Sequence, residues 1–345
     1  MKACVFRGPG DVAIVDMPIP EAGRGEIVLR VAAAGLCHSD VRVFKGEKYA
    51  KQGVVPGHEI SGVIAQVGEG VSDLAEGDRV SLCPIIACGS CSFCRVGKRN
   101  RCPKRITLGY DENGGLAEYL LVPEPIVRLG HVFKLPDRVP LNLASLLEPT
   151  ACVMNSIELL GVESGTSMLL IGAGPMGLMH LVVAKALGAR VIASEPDEDR
   201  RSWARKLGAE EVIDPMSQDV VARIKELTDG EGADVSVIST GAVPAVKPGL
   251  LGVRKQGAVN LFGGFPPNSV LDLDPNLIHY NELVLTGSQN APIAQYEQAL
   301  KLLPALGDLR HVVSHSFTID DAPKAYESRL EASGLKTEVV YPDVN

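Results

Sequence analysis

Residues 167–177 read SMLLIGAGPMG, and this stretch decides the fold. Ser167–Ile171 is a short apolar run of the kind that forms a buried strand. Gly172-Ala-Gly174-Pro-Met-Gly177 follows as a G-x-G-x-x-G turn. Pro175 suits the first turn of a helix, where no N–H partner is needed. The spacing predicts a helix from about Pro175 to Leu187, stopped by Gly188. The next apolar run, Arg190–Ser194, ends at Glu195, 18 residues past Gly177. Strand, glycine turn, helix and a second strand closed by an acid make a dinucleotide-binding unit. The glycines allow a tight turn, approach of a pyrophosphate to the backbone, and close packing of helix on strand. Free N–H groups at the helix start face the phosphates. Glu195 is expected to accept from the ribose hydroxyls and to repel a 2′-phosphate, which favours NAD over NADP. Arg200 works against that preference, because it can pair with such a phosphate.

The alternation continues outward from this unit. Asp197 caps a helix running to Leu207, stopped by Gly208, and Ser217 is expected to cap another that ends near Thr228. Asp234–Ser239, Ala258–Phe262 and Leu283–Thr286 are further apolar runs. Alternating strands and helices imply an α/β, doubly wound parallel sheet with right-handed crossovers. A helix over about Ile293–Leu303, a strand, another helix and a strand at Thr337–Tyr341 close the chain. The first third differs. Lys2–Arg7, Asp11–Asp16, Glu26–Ala33, Ser61–Val67 and Arg79–Leu82 are β-rich runs broken by Gly/Pro turns, and they predict an irregular, mostly antiparallel β domain.

Four polar clusters carry metal chemistry. Cys88, Cys91, Cys94 and Cys102 fall within 15 residues, a spacing suited to a closed structural zinc site. An iron–sulfur cluster also uses four cysteines. Arg95, Lys98, Arg99, Arg101, Lys104 and Arg105 surround them, so a nucleic-acid-binding zinc ribbon is the alternative to a solvated basic face. Cys37-His38-Ser39-Asp40 and Gly57-His58-Glu59 supply the ligand types of a catalytic zinc. Glu148-Pro149-Thr150-Ala151-Cys152 stands at the predicted domain junction, where substrate sites concentrate.

Composition excludes several classes. The chain has 345 residues, 46% hydrophobic and 22% charged, enough for about two packed domains and unlike a disordered chain. A net charge of −8 and only 4% aromatic residues disfavour a nucleic-acid partner. The most apolar stretch, Met168–Ala184, is broken by glycines, Pro175 and His180, and does not suit a membrane span. Met1–Gly10 lacks the pattern of a secretory leader, so a cytoplasmic location is expected, where clustered cysteines bind metal rather than pair.

The chain resembles the zinc-dependent medium-chain dehydrogenases along essentially its whole length. Gly57-His58-Glu59-x2-Gly62-x5-Gly68-x2-Val71 is similar to that family's zinc signature. Gly35-Leu-Cys37-His-Ser39-Asp40, the four-cysteine lobe and the glycine fingerprint follow in the family's order. The resemblance implies a GroES-like catalytic domain over 1–149 and 288–345, with a Rossmann domain inserted over 150–287. It implies that Cys37 and His58 hold the catalytic zinc, that Glu59 is a ligand or exchangeable near-ligand, and that Asp40 orients His58. Ser39 would start the proton relay. Glu148 would be the third protein ligand, as in the polyol and threonine dehydrogenase branch, with Cys152 as the alternative. Met176, Gly263, Gly264, Phe265, Leu285 and Thr286 would lie near the cofactor, and relatives of this length are often homotetramers.

Two departures stand out. Arg42 occupies the place of a relay histidine and cannot shuttle a proton near neutral pH. It is a candidate for binding an anionic group instead. Glu338 stands where a basic residue often does. The expected reaction transfers hydride between NAD and a secondary alcohol or its ketone. A polyol, sugar, cyclitol or amino alcohol is the favoured substrate, and a simple alcohol the alternative.

Overall fold

The chain opens with an antiparallel hairpin, β1 (Lys2–Gly8) and β2 (Asp11–Asp16). A computed structural model describes residues 1–331, 334–342 and 344. Next come β3 (Ile27–Leu36), β4 (Glu59–Val67) and β5 (Arg79–Leu82), long runs of apolar and β-branched residues. The short pair β6 (Ile85–Ile86) and β7 (Ile106–Thr107) brackets the four cysteines. β8 (Tyr119–Val122) and β9 (Val132–Lys134) complete the first part of the chain.

The middle of the chain alternates strand and helix. Its strands are β10 (Ser167–Ile171), β11 (Arg190–Ser194), β12 (Glu211–Ile213), β13 (Ala233–Ile238), β14 (Val253–Leu261) and β15 (Val284–Gly287). They form one parallel sheet in the order β12-β11-β10-β13-β14-β15. The order reverses beside β10, the switch point where such sheets bind ligands. Leu169, Ile171, Ile192, Ile224, Ile238 and Val259 belong to its core.

The chain then returns through β16 (Val313–Phe317) and β17 (Lys336–Val340). These join the first part in a sheet ordered β16-β17-β3-β4-β5-β9, with β8 paired to β3. Ile27, Leu29, Ile60, Leu82, Leu116 and Tyr326 belong to its core. Two compact units result, Met1–Ala151 with Ala291–Asn345, and Cys152–Asn290.

Two local expectations change. Ser217 does not cap a helix. The helix Val220–Glu226 is capped by Asp219, whose carboxylate accepts from the N–H groups of Val221 and Ala222 at 2.8 and 3.0 Å. A carboxylate there also meets the positive end of the helix dipole, which a serine hydroxyl does not. β14 begins at Val253, ahead of the apolar run at Ala258. Its first half is polar and carries an irregular register against β13.

His180 is the buried titratable group of the helix Pro175–Ala186. Its Nδ1 lies 2.8 Å from the Met176 carbonyl and its ring meets the edge of Phe262. Burial pushes its pKa down to about 4. The unfolded chain therefore binds this proton first, and the stability His180 contributes is complete above pH 6.5 and lost as pH falls toward 4. The shift corresponds to about 3 kcal/mol. We expect wild type to lose about 2–3 kcal/mol more unfolding free energy than His180→Leu between pH 7 and pH 4.5 in urea titrations. Equal losses in the two proteins would contradict the assignment.

Candidate active site and nucleotide turn

The four-cysteine lobe is a tight loop between β6 and β7. Cys91 precedes the short helix Ser92–Arg95, which turns Cys94 back toward it. The Cys91–Cys94 and Cys88–Cys94 sulfur separations are 3.4 and 3.9 Å, and all four sulfurs lie within 4.8 Å of one another. Four sulfurs around a tetrahedral zinc, each at about 2.3 Å, stand about 3.8 Å apart, so the lobe fits that ion. Backbone N–H groups of Ser90 and Cys91 lower the Cys88 thiol to about 6, while burial pushes Cys94 up to about 12. The surrounding basic residues are not uniform. Arg99 donates to the Leu129 carbonyl and Arg105 to the Asn100 carbonyl, whereas Arg95, Lys98, Arg101 and Lys104 are exposed.

The second cluster forms where β3 ends. Cys37 caps the helix His38–Phe44, and Asp40 closes the cap by accepting the Cys37 N–H at 2.9 Å through Oδ2. The other oxygen, Oδ1, is 3.2 Å from Nδ1 of His58. Burial disfavours both charges, but their attraction outweighs it. His58 is held well above the usual histidine range and Asp40 below the usual carboxylate range. One ligand atom each from Cys37, His58 and Glu59 lies within 4.8 Å of the others. A thiolate, an imidazole oriented by a carboxylate, and a second acid are the donor set of a catalytic zinc.

Glu59 has a strong partner of its own. Both of its oxygens meet Nζ of Lys336 on β17, at 2.5 and 2.6 Å, and the pair is buried. The basic residue of the C-terminal strand is therefore Lys336, two positions before Glu338. Glu148 opens the helix Leu147–Leu159 and is buried. Its charge acts on Tyr110 and Cys83, but it stands outside the 4.8 Å group of Cys37, His58 and Glu59. Cys152 lies one turn further along the same helix and is half-buried. Arg42 is 3.5 Å from Glu47, so its charge is matched locally.

Sequence reasoning missed Tyr110 and Lys48. The Tyr110 hydroxyl is 2.6 Å from Ser39 Oγ and 3.2 Å from His58 Nδ1. Burial, then the charges of Asp40 and Cys37, raise its pKa well above the ordinary value, so it is a neutral phenol that both donates and accepts. Nζ of Lys48 sits 3.7 Å from the centre of its ring. Both residues come from loops without a motif, and no spacing signals them.

In the other unit the glycine turn has the form a dinucleotide needs. Gly172 has φ +96°. A Cβ on Gly177 would fall 2.0 Å from the Gly172 carbonyl oxygen, whereas one on Gly174 would meet nothing within 4 Å. Gly174 therefore leaves open space at the start of the helix Pro175–Ala186, where phosphates bind. Glu195 is buried, with Oε2 accepting the Ala173 N–H at 2.6 Å and Oε1 the Asp197 N–H at 3.1 Å. Its first role is thus to pin the turn, with lone pairs left for a ribose. Met176 lies in the first helical turn, and Arg200 has its backbone N–H taken by Asp197. Gly263, Gly264 and Phe265 follow β14, where a Cβ on Gly263 would strike the Thr240 carbonyl at 2.5 Å. Leu285 and Thr286 lie on β15.

Comparison with known proteins agrees with this geometry. Residues 23–137 match the family described as alcohol dehydrogenase GroES-like domain, and residues 175–305 match zinc-binding dehydrogenase. The L-threonine 3-dehydrogenase of Pyrococcus horikoshii is 34% identical, covering 99% of this chain and 98% of that protein. The D-arabitol-phosphate dehydrogenase of Enterococcus avium is 34% identical, covering 98% and 97%. A dehydrogenase structure from Sinorhizobium meliloti, solved with NADP, superposes with a TM-score of 0.92 at 28% identity, covering 99% of each chain. The chain belongs to the zinc-binding medium-chain dehydrogenases, in their polyol and threonine dehydrogenase branch.

Proposed function

We propose that the protein transfers hydride between NAD and a secondary alcohol bearing a neighbouring hydroxyl or amine, such as a polyol, sugar, cyclitol or amino alcohol. The convergence of Cys37, His58 and Glu59, with Asp40 behind the imidazole, carries this reading. Cys37, His58 and Glu148 would hold the catalytic zinc, with Glu59 as the exchangeable ligand, and the four-cysteine lobe a structural one. Zinc supplies Lewis-acid stabilisation of the charge that develops on the alcohol oxygen, and the nicotinamide supplies the hydride acceptor.

The chain's own residues do the rest. Asp40 orients His58 by the contact of its Oδ1 with Nδ1 at 3.2 Å, which leaves Nε2 for the metal. Ser39 receives the proton that leaves the substrate hydroxyl. Tyr110, bonded to Ser39 at 2.6 Å, stands next in line in place of the histidine absent at 42. Gly172, Gly174 and Gly177 shape the pyrophosphate turn, and Glu195 favours a ribose free of a 2′-phosphate. The assembly is proposed to be a homotetramer. The thiolate sites suit a reducing, cytoplasmic compartment.

Metal analysis is expected to find two zinc ions per chain. Glu148→Ala should lose one ion and more kcat/KM than the roughly 10–100-fold that follows loss of an outer partner. Cys152→Ser should keep both ions. The reverse pattern would move the third ligand to Cys152. In steady-state assays with a diol panel, kcat/KM with NAD should exceed that with NADP by about tenfold or more, a difference of about 1.4 kcal/mol. Glu195→Ala should narrow that ratio, and a wild-type preference for NADP would refute the assignment of Glu195.

A further inference from the structure

Among the described residues, Lys48 is a cation beside the site with no carboxylate in ion-pair contact. Arg42 has Glu47 at 3.5 Å, and Lys336 has Glu59. Among the described residues no carboxylate lies within ion-pair distance of the Lys48 ammonium. Asp40 and Cys37 act on it from further off, and Asp40 is already committed to His58 and the Cys37 N–H. Arg42 and Arg105 add positive potential around it. Lys48 is itself exposed, so a dissolved anion can reach its ammonium.

Its position indicates what that function is. Nζ is 3.7 Å from the Tyr110 ring centre, and that ring centre is 5.2 Å from the imidazole of His58. The hydroxyl of the same tyrosine touches both His58 and Ser39. The ammonium therefore stands one aromatic ring away from Ser39 and His58. Its contact with the ring is a cation–π contact, which turns one N–H toward the ring and leaves the others for a ligand.

We infer that Lys48 is a specificity-determining residue that binds an anionic substituent, a carboxylate or a phosphate, on the secondary alcohol oxidised at this site. This rests on the dehydrogenase reading above and narrows its substrate class. It also transfers the anion-binding role, expected from sequence for Arg42, to the cation that lacks a partner.

Matched pairs test it. L-threonine is compared with L-threoninamide, and D-arabitol phosphate with D-arabitol, in wild type, Lys48→Met and Lys48→Arg. For one pair, wild type should prefer the anionic member in kcat/KM. Lys48→Met should reduce that preference roughly 10- to 100-fold, mainly through KM, as expected for loss of a hydrogen bond between charged groups. Lys48→Arg should restore most of it. The responding pair identifies the anion as carboxylate or phosphate. Calorimetric titration of the cofactor-free protein with that anionic member should show a matching loss of affinity in Lys48→Met. Equal preference for charged and neutral members in wild type, or equal losses on both in Lys48→Met, would overturn the inference while leaving the dehydrogenase reading intact. If no alcohol is oxidised, that reading falls. Titration of both anionic members then decides the role of Lys48 alone: weaker binding of either one in Lys48→Met supports it, and unchanged binding of both overturns it.

Discussion

The buried ion pair between Glu59 and Lys336 links the start of β4 to the start of β17. The two residues are 277 positions apart in sequence, and each begins a strand, β4 and β17. Between them runs β3, with Gly35 opposite Glu59 on one side and opposite Glu338 on the other. A Cβ at Gly35 would lie 1.9 Å from Glu59 Oε2, so the carboxylate occupies space that only glycine leaves. Removing one member of a buried pair strands an uncompensated charge, at a cost of about 3–5 kcal/mol. The pair therefore ties the returning C-terminal strand to the residue that follows His58. The place of Glu59 beside Cys37 and His58 thus involves a residue 277 positions away.

A second carboxylate qualifies that pair. Glu338 is buried, and burial raises its pKa, while Ser316 donates to it at 2.8 Å. Lys336 is raised as well, because the attraction of Glu59 outweighs the cost of burying the ammonium. One ammonium thus stands near two acids and satisfies the one beside the metal cluster. That arrangement leaves Glu59 anchored but still within reach of Cys37 and His58.

Features written in short spacing were legible in the sequence. The strands Ser167–Ile171 and Arg190–Ser194, the cap at Asp197 and the clustered cysteines all follow from residues close together in the chain. The helix start at Asp219 was misplaced because Ser217 and Asp219 are both good caps, and only the local backbone decides between them. The start of β14 was missed because its first residues are polar, and pairing with β13 overrides their weak strand preference. Tyr110 meets His58 across 52 residues and Ser39 across 71, contacts that no periodicity encodes. Lys336 meets Glu59 across 277 residues, a pairing set by the placement of β17 beside β3 in the folded sheet.

Two of the acids that the sequence singled out, Asp40 and Glu195, hold local backbone as well as facing the candidate sites. Asp40 spends one oxygen on the Cys37 N–H and the other on His58, so the residue beside the imidazole also fixes the backbone of Cys37. Glu195 accepts the N–H groups of Ala173 and Asp197, so the acid at the end of β11 also fixes the glycine turn. In each case one carboxylate sets the position of a loop and the chemistry of the group that the loop presents. Charge at these sites is accordingly matched residue by residue: Asp40 with His58, Glu59 with Lys336, Arg42 with Glu47. A protein that neutralises its site charges so closely leaves a recognisable signal wherever one cation is not neutralised, and the ammonium over Tyr110 is such a cation.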